Sequence, residues 1–123
     1  MIDGGMPDAQ NAPPAAVAAG LDVADPEAQL QRALELGCAY LNRRDRTVDE
    51  VRMQLRRRGV SEHLIDAAVQ ILVQQRLLDD ERFARLFVSD KRELEQWGSE
   101  RIRRGLEARG IDRRLDVIDL LLI

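Results

Sequence analysis

The chain has 123 residues and a formal net charge of −3, with 33% charged and 3% aromatic residues. This length excludes most multi-domain enzymes, and the abundance of Arg, Glu and Leu favours helices over a β-sandwich. One Cys and one His exclude an internal disulfide and the familiar zinc sites, and no apolar run approaches the roughly 18–20 residues of a membrane span. Because residues 1–30 contain no Lys or Arg, the positive end of a secretory signal is missing. We expect a soluble, reduced, cytoplasmic protein.

Residues 1–24 combine Gly, Pro, Ala and acidic residues, including the run NAPPAA at 11–16. The segment lacks the large apolar side chains that would offset the entropy of ordering. We therefore predict a disordered acidic tail. A short amphipathic segment that binds a partner is the alternative interpretation.

A first unit of three helices is predicted over residues 25–78. Asp25, followed by Pro and Glu, is typical of a helix start. Residues 47–50 (TVDE) form a capping box that begins the second helix, and Gly59 ends it. Ser61 is predicted to cap the third helix, in which apolar residues recur at helical spacing.

A second unit is predicted over residues 79–123. Asp79 or Asp80 caps its first helix, and a break at 97–98 separates that helix from the next. Ser99 is predicted to cap the following helix, which Gly110 ends. Asp112 is predicted to cap a sixth helix containing Leu115, Ile118, Leu121 and Leu122. The fold class expected is all-α, with six helices in two tandem three-helix repeats.

The two units repeat at an offset of 51 residues. The first members of the matching pairs are Val51, Arg52, Leu55, Arg58, Gly59 and Val60. Their counterparts are Ile102, Arg103, Leu106, Arg109, Gly110 and Ile111. Six matches that include the glycine stop exceed what two independently capped helices require. Repeats of this kind bury apolar surface by stacking on one another.

Three motifs follow one another over about residues 28–123. The first comprises Ala33, Leu34, residues 40–47 (YLNRRDRT), Glu50, Val51, Leu55, Gly59 and Val60. The second is residues 77–84 (LLDDERFA), and the third is Gly98, Arg101, Ile102, Leu106 and residues 109–111. In composition, order and spacing these motifs resemble the RecX family of regulatory proteins, and the second motif is the most specific.

The resemblance implies tandem three-helix units and a function without catalysis or cofactor. RecX-like proteins bind the RecA recombinase, lie in the groove of the RecA–DNA filament, and restrain filament growth, ATP hydrolysis and strand exchange. They thereby modulate recombinational DNA repair and the SOS response, and some also contact DNA. Family members usually continue into a third unit, whereas this chain ends within the sixth predicted helix. A shortened chain would span less of the filament, bind more weakly, or be inactive.

Residues 120–123 (LLLI) form an apolar end, and this leads to a further prediction. An apolar terminus usually packs against something. It either docks on the second unit or forms an edge that a third unit would cover. In the second case, self-association through the apolar C-terminus is expected.

Arginine dominates the basic residues, with 18 Arg against the single Lys91. Because guanidinium groups bind phosphate and carboxylate in bidentate fashion, arginines are the predicted contacts to RecA or, without sequence specificity, to single- or double-stranded DNA. The alternative is internal pairing with nearby acids such as Asp45, Asp49 and Glu107 on a solvated face. The predicted binding residues are Arg43, Arg44, Arg46, Arg52, Arg56, Arg57, Arg58, Arg101, Arg103, Arg104 and Arg109.

No group of residues has the pattern of a catalytic site, and the sequence contains no Gly-rich phosphate loop. Residues 79–81 (DDE) are compatible with a magnesium site, but acids at a helix start also complement the helix dipole, which we favour. Two other functions stay open: a helix-turn-helix DNA reader and a helical adaptor that binds through the apolar C-terminus. The first is weakened because the third helix has few side chains suited to reading bases.

Overall fold

The structure is a computed structural model that describes residues 25–111, and all regular secondary structure in this range is helical. Its helices are α1 (Pro26–Leu41), α2 (Val48–Arg57), α3 (Glu62–Gln74), α4 (Asp80–Glu93) and α5 (Ser99–Ala108). The all-α prediction is confirmed. The predicted tail 1–24, the sixth helix from Asp112 and the apolar end 120–123 lie outside the described residues.

The predicted starts of α1 and α2 are confirmed. The Asp25 carboxylate accepts hydrogen bonds from the backbone N–H groups of Glu27 at 3.1 Å and Ala28 at 3.2 Å. At α2, the Thr47 hydroxyl accepts from the Glu50 N–H at 3.1 Å, and the Glu50 carboxylate accepts from the Thr47 N–H at 3.0 Å. Both bonds of the capping box are therefore formed.

The other predicted caps differ from expectation in different ways. Ser61 is the N-cap residue of α3, as predicted, but its hydroxyl lies 3.2 Å from Nδ1 of His63 and makes no capping bond to the helix backbone. The cap residue of α5 is Gly98 and not Ser99, because the extended backbone at Gly98, with ψ of 166°, makes Ser99 the first helical residue. At α4 the cap is Asp79, which accepts from the Arg82 N–H at 3.0 Å.

The predicted glycine stops have the same geometry in both units. Gly59 and Gly110 have φ of 85° and 81°, in the left-handed region that favours glycine. The N–H of the next residue then returns to a leucine carbonyl at 3.0 Å, from Val60 to Leu55 in one unit and from Ile111 to Leu106 in the other. The 51-residue repeat is therefore present in the backbone.

The core of the first unit is aliphatic and contains closely approaching helices. Gly37 of α1 faces Leu72 of α3 so closely that a Cβ at position 37 would lie 3.0 Å from a Leu72 methyl group. A small residue at this position lets α1 lie directly against α3. The buried apolar residues of this core are Ala33, Val51, Leu55, Ile65, Ala68, Val69, Leu72 and Leu78.

The core of the second unit is built around aromatic rings. Phe83 and Phe87 stack with ring centroids 6.0 Å apart, and Trp97 meets Phe87 edge-on at 6.2 Å. Gly105 of α5 makes room for Phe87, since a Cβ there would lie 2.9 Å from the ring. The other buried residues of this core are Ala84, Val88, Ile102, Leu106 and Ile111.

Candidate partner interface

The start of α2 joins the two units. The Thr47 hydroxyl is fully buried and donates a hydrogen bond to the Arg109 carbonyl, 2.7 Å away at the end of α5. The Val48 N–H donates to the Asp80 carboxylate at the start of α4, at 2.9 Å. Gly110 lies so near Asp49 that a Cβ at position 110 would be 2.4 Å from the Asp49 Cβ. We call these contacts the inter-unit joint, and they hold the two units in one arrangement.

The joint contains a carboxyl group with a shifted pKa. Partial burial raises the pKa of Asp80, and the hydrogen bond from the Val48 N–H opposes this rise. The negative charges of Asp79, Asp49 and Glu50 add to the rise. The joint is therefore sensitive to the charge on Asp80.

Two of the predicted binding arginines, Arg52 and Arg56, are engaged within the first unit. Arg52 binds the carboxylate of Asp66. Arg56 holds Glu62 through two bonds of 2.6 Å and 2.9 Å, and this hydrogen bonding raises the pKa of Arg56 and lowers that of Glu62. Internal pairing thus occurs here, but with acids of α3 instead of the acids adjacent in sequence.

The other arginines of the first unit that were predicted to bind a partner are mostly exposed. Arg46 is the exception, because its guanidinium lies 3.9 Å from the Tyr40 ring centroid and its buried Nε has no hydrogen-bond partner. The others carry positive charge to solvent and form no ion pair with an acidic residue in the range 25–111. These are Arg43, Arg44, Arg57 and Arg58.

In the second unit, basic side chains lie on aromatic rings. Arg101 lies 3.9 Å from the Trp97 ring centroid, and Arg109 lies 4.8 Å from that of Phe87. The Arg109 guanidinium also donates to the Gly105 carbonyl at 2.9 Å. Lys91, which the sequence did not single out, lies 4.6 Å from Trp97. Arg103 is partly exposed and Arg104 is exposed.

A groove of about 360 Å³ lies between the α1–α2 loop and α4. Its apolar lining comes from α4 and the residue after it, and two arginines from other parts of the fold border it. The apolar lining is Phe83, Leu86, Phe87 and Leu94, and the bordering arginines are Arg44 and Arg109. The spacing of Leu86, Asp90 and Leu94 by four residues was a sequence signal for this surface, but the approach of Arg44 depends on the joint.

The acids at 79–81 have structural partners. Asp79 caps α4, Asp80 belongs to the joint, and Glu81 pairs with Arg85 at 3.6 Å. Within residues 25–111, no three His, Cys, Asp or Glu side chains are grouped as metal ligands would be. No helix in the described range has the length and apolar character needed to cross a bilayer.

Family models match both units in order. The model for "RecX, first three-helix domain" matches residues 33–72, and the model for "RecX, second three-helix domain" matches residues 79–115. These matches cover α2 to α5 almost completely and a little more than half of α1.

Proteins named "Regulatory protein RecX" are similar to this chain in sequence. The "Regulatory protein RecX" of Halalkalibacterium halodurans is 33% identical over 88 residues, which are 72% of this chain and 33% of that protein. The protein of the same name from Pseudomonas savastanoi is 41% identical over 73 residues, 59% of this chain and 46% of that one. This chain therefore spans a third to a half of the length of these relatives.

A solved structure has the same fold. The crystal structure of RecX from Lactobacillus salivarius superposes with a TM-score of 0.73, covering 78% of this chain and 61% of that one. At 23% sequence identity, the superposition shows a shared arrangement of helices.

Proposed function

This chain belongs to the RecX family, and from that premise we propose that it binds a RecA recombinase or its DNA filament. By occupying the filament it would restrain ATP hydrolysis and strand exchange, and so modulate recombinational DNA repair. In this role it is a cytoplasmic regulator with no catalytic activity or cofactor of its own. Contacts to DNA, where they occur, are with the backbone and independent of sequence.

The inter-unit joint is the observation that best supports this proposal. The two units, which match the two RecX three-helix domains in order, are joined within residues 25–111 by the bonds from Thr47 to the Arg109 carbonyl and from Val48 to Asp80. When one rigid unit binds a helical polymer, the other is held at a high effective concentration beside the next contact. Such a protein binds a filament more tightly than it binds one free recombinase subunit, because only the filament presents the repeated surfaces that both units can contact.

The surroundings of the predicted arginines reduce the number that we propose as contacts to the filament. Arg43, Arg44, Arg57 and Arg58 are exposed and have no acidic partner in residues 25–111, so they need not break an ion pair to bind phosphate or carboxylate. Arg52 and Arg56 already hold Asp66 and Glu62. We propose the first set as the primary contacts of the first unit, and Arg104 as a contact of the second.

The test measures binding of the fluorescently labelled chain to RecA filaments on single-stranded DNA, at several salt concentrations. Replacing Arg43, Arg44, Arg57 and Arg58 by Gln should weaken binding about tenfold or more and flatten its salt dependence. The matched control replaces Arg52 and Arg56 by Gln and should have the smaller effect. RecA ATPase measured in parallel should fall with added wild-type chain.

Two results would contradict the proposal at different levels. A wild-type chain that neither binds the filament nor lowers its ATPase rejects the proposed function. A wild-type chain that binds, with the four-arginine variant equal to it in affinity and salt slope, rejects only these arginines as contacts.

The helix-turn-helix alternative is weakened by the side chains of α3. Ile65, Ala68, Val69 and Leu72 are buried in the first core, and the exposed face carries the acids Glu62 and Asp66, which hold Arg56 and Arg52. The adaptor alternative and self-association depend on the C-terminal segment, which lies outside the described residues.

A further inference from the structure

We propose that the groove between the α1–α2 loop and α4 is a docking site for a protein segment that presents apolar side chains beside a carboxylate. This inference rests on the proposed function and makes it more specific. It assigns the groove, with Arg44, to the recombinase subunit, whereas the exposed Arg43, Arg57 and Arg58 of the first unit remain available for phosphate.

The first argument is the exposure of two leucines that the fold does not use. Leu86 and Leu94 have 51% and 77% of their surface exposed, although Phe83 and Phe87 beside them are buried. Leu86 and Leu94 are eight residues apart, which places them on one side of α4 and its C-terminal cap. Burying both would remove apolar surface from water and stabilise a complex without disturbing the core.

The second argument is charge. Lys91 in the groove is paired with Glu95 at 2.7 Å, and Asp45 is paired with Arg82 at 3.6 Å. Arg44 and Arg109 line the same groove and form no ion pair with an acid in the range 25–111. Two guanidinium groups beside an apolar surface suit a ligand with a carboxylate next to apolar side chains.

The third argument separates a protein from a nucleic acid as the occupant. Asp90 lies between the two leucines, so the groove side chains without an ion pair in the range 25–111 are two arginines and one acid. This small excess of positive charge suits a single carboxylate and not a chain of phosphates. Single-stranded nucleic acid also needs an accessible aromatic face for stacking. Phe83 and Phe87 are buried, and Trp97 has Arg101 and Lys91 on its ring. The lining therefore favours protein side chains over bases.

The groove is a property of the joined units. Arg44 comes from the first unit, whereas the apolar lining and Arg109 come from the second. The carbonyl of Arg109 is the acceptor of the Thr47 hydrogen bond, so the bond that joins the units also positions this arginine. A separated second unit would lack one side of the site.

The experiment compares the wild-type chain with a Leu86→Gln/Leu94→Gln variant, which removes apolar surface without adding charge. Binding is measured to RecA filaments on single-stranded DNA and, separately, to the same DNA alone. The double variant should bind the filament about tenfold more weakly, as expected for loss of central apolar contacts, and bind DNA alone unchanged. The control is Met53→Gln, which changes an apolar residue of α2 that is 42% exposed and should leave both affinities unchanged.

A cross-linking measurement identifies the occupant. Leu94→p-benzoylphenylalanine, irradiated with the filament, should form an adduct with the recombinase subunit. Adducts only with DNA, or only with a second copy of this chain, would overturn the proposal. So would a double variant that binds the filament as tightly as a binding wild type. A wild type that does not bind the filament rejects the proposed function itself, so the two failures are distinguishable.

Discussion

The two units have the same backbone plan, but the arginines at the equivalent helices α2 and α5 are held by different means. In the first, Arg52 and Arg56 bind carboxylates of α3. In the second, Arg101 and Arg109 lie against aromatic rings. A side chain in an ion pair is balanced by its partner, whereas one on a ring keeps its full charge. The second unit therefore keeps positive charge at a partly apolar surface, and the first presents its unpaired arginines directly to water.

Equivalent positions of the repeat do not have equivalent surroundings. Arg58 and Arg109 correspond at the 51-residue offset, but Arg58 is exposed and Arg109 lies on Phe87. Leu55 and Leu106 are both buried, and Gly59 and Gly110 both end a helix. These positions have equivalent surroundings because they determine how the helices pack and end. The comparison shows that the repeat specifies the backbone, and that function must be assigned one side chain at a time.

The largest expected effect is on the free energy of unfolding, and it tests whether the two units unfold together. Leu55→Ala and Leu106→Ala each empty an equivalent, fully buried position and should each cost about 3 kcal/mol of unfolding free energy. Urea unfolding is followed by circular dichroism, which reports both units, and by fluorescence of Trp97 in the second. Because the joint couples the units, we expect the two signals to shift together in both variants. A Leu55→Ala shift absent from the Trp97 signal would show that the units unfold independently.

The next effect tests the joint itself. Thr47→Val keeps the shape of a buried side chain but removes its bonds with the Glu50 N–H and the Arg109 carbonyl. We expect a loss of about 2 kcal/mol, because a helix cap is lost and a carbonyl lacks its partner. Ser61→Ala is the control, since that hydroxyl makes no cap bond, and it should cost less than about 0.5 kcal/mol. Equal losses in the two variants would reject the special role of Thr47.

A smaller effect on the free energy of unfolding depends on pH and comes from the Asp80 carboxyl group in the joint. Because the pKa of Asp80 is raised, the folded state binds this proton more tightly than the unfolded chain does. The resulting stabilisation is present below the ordinary carboxyl pKa of about 3.9 and is lost as pH rises through the raised value. Asp80→Asn keeps an oxygen acceptor for Val48, so wild type should become progressively less stable than the variant over this interval.

The exposure of the Asp80 carboxyl group limits its effect on the free energy of unfolding. The carboxyl group is only partly buried, so solvent screening keeps the expected difference below about 1 kcal/mol at neutral pH. The measurement is the unfolding free energy of both proteins from pH 3 to 7. A constant difference across that range would show that the charge of Asp80 does not act on the joint.

The smallest effect tests the different starts of equivalent helices. Helix α2 has a full capping box, whereas α5 begins after Gly98 and has no side-chain cap. A Cβ at Gly98 would have no neighbour within 4 Å, so a serine fits there. Gly98→Ser should add a side-chain cap and stabilise the chain by about 0.3 kcal/mol. Thermal unfolding measures the change, and a lower melting temperature would show that the second unit requires glycine here.

The sequence predicted the features that arise from neighbouring residues. Caps at Asp25 and Thr47, stops at Gly59 and Gly110, and the apolar faces of the helices all follow from short-range sterics and hydrogen bonding. The cap at Ser99 was placed one residue late, because Gly98 and Ser99 both suit a helix start. The left-handed Arg76 at the end of α3, with φ of 62°, had no sequence signal, since arginine seldom adopts this conformation.

The candidate site was only partly predictable. That arginine would be the dominant cation followed from composition, but the pairing of Arg52 with Asp66 and the stacking of Arg109 on Phe87 link residues on different helices. The predicted domain limits at 78 and 79 remain a prediction.

By itself, the sequence determined the helices of residues 25–111 and the repeat of their glycine stops, because helix starts, stops and apolar periodicity are encoded within a few residues. Only the tertiary structure decided which arginines are bound, stacked or exposed, and only it placed Arg44 beside α4. The physical reason is distance along the chain. The joint links Thr47 to Arg109 across 62 residues, and contacts of that separation form only when both units have packed.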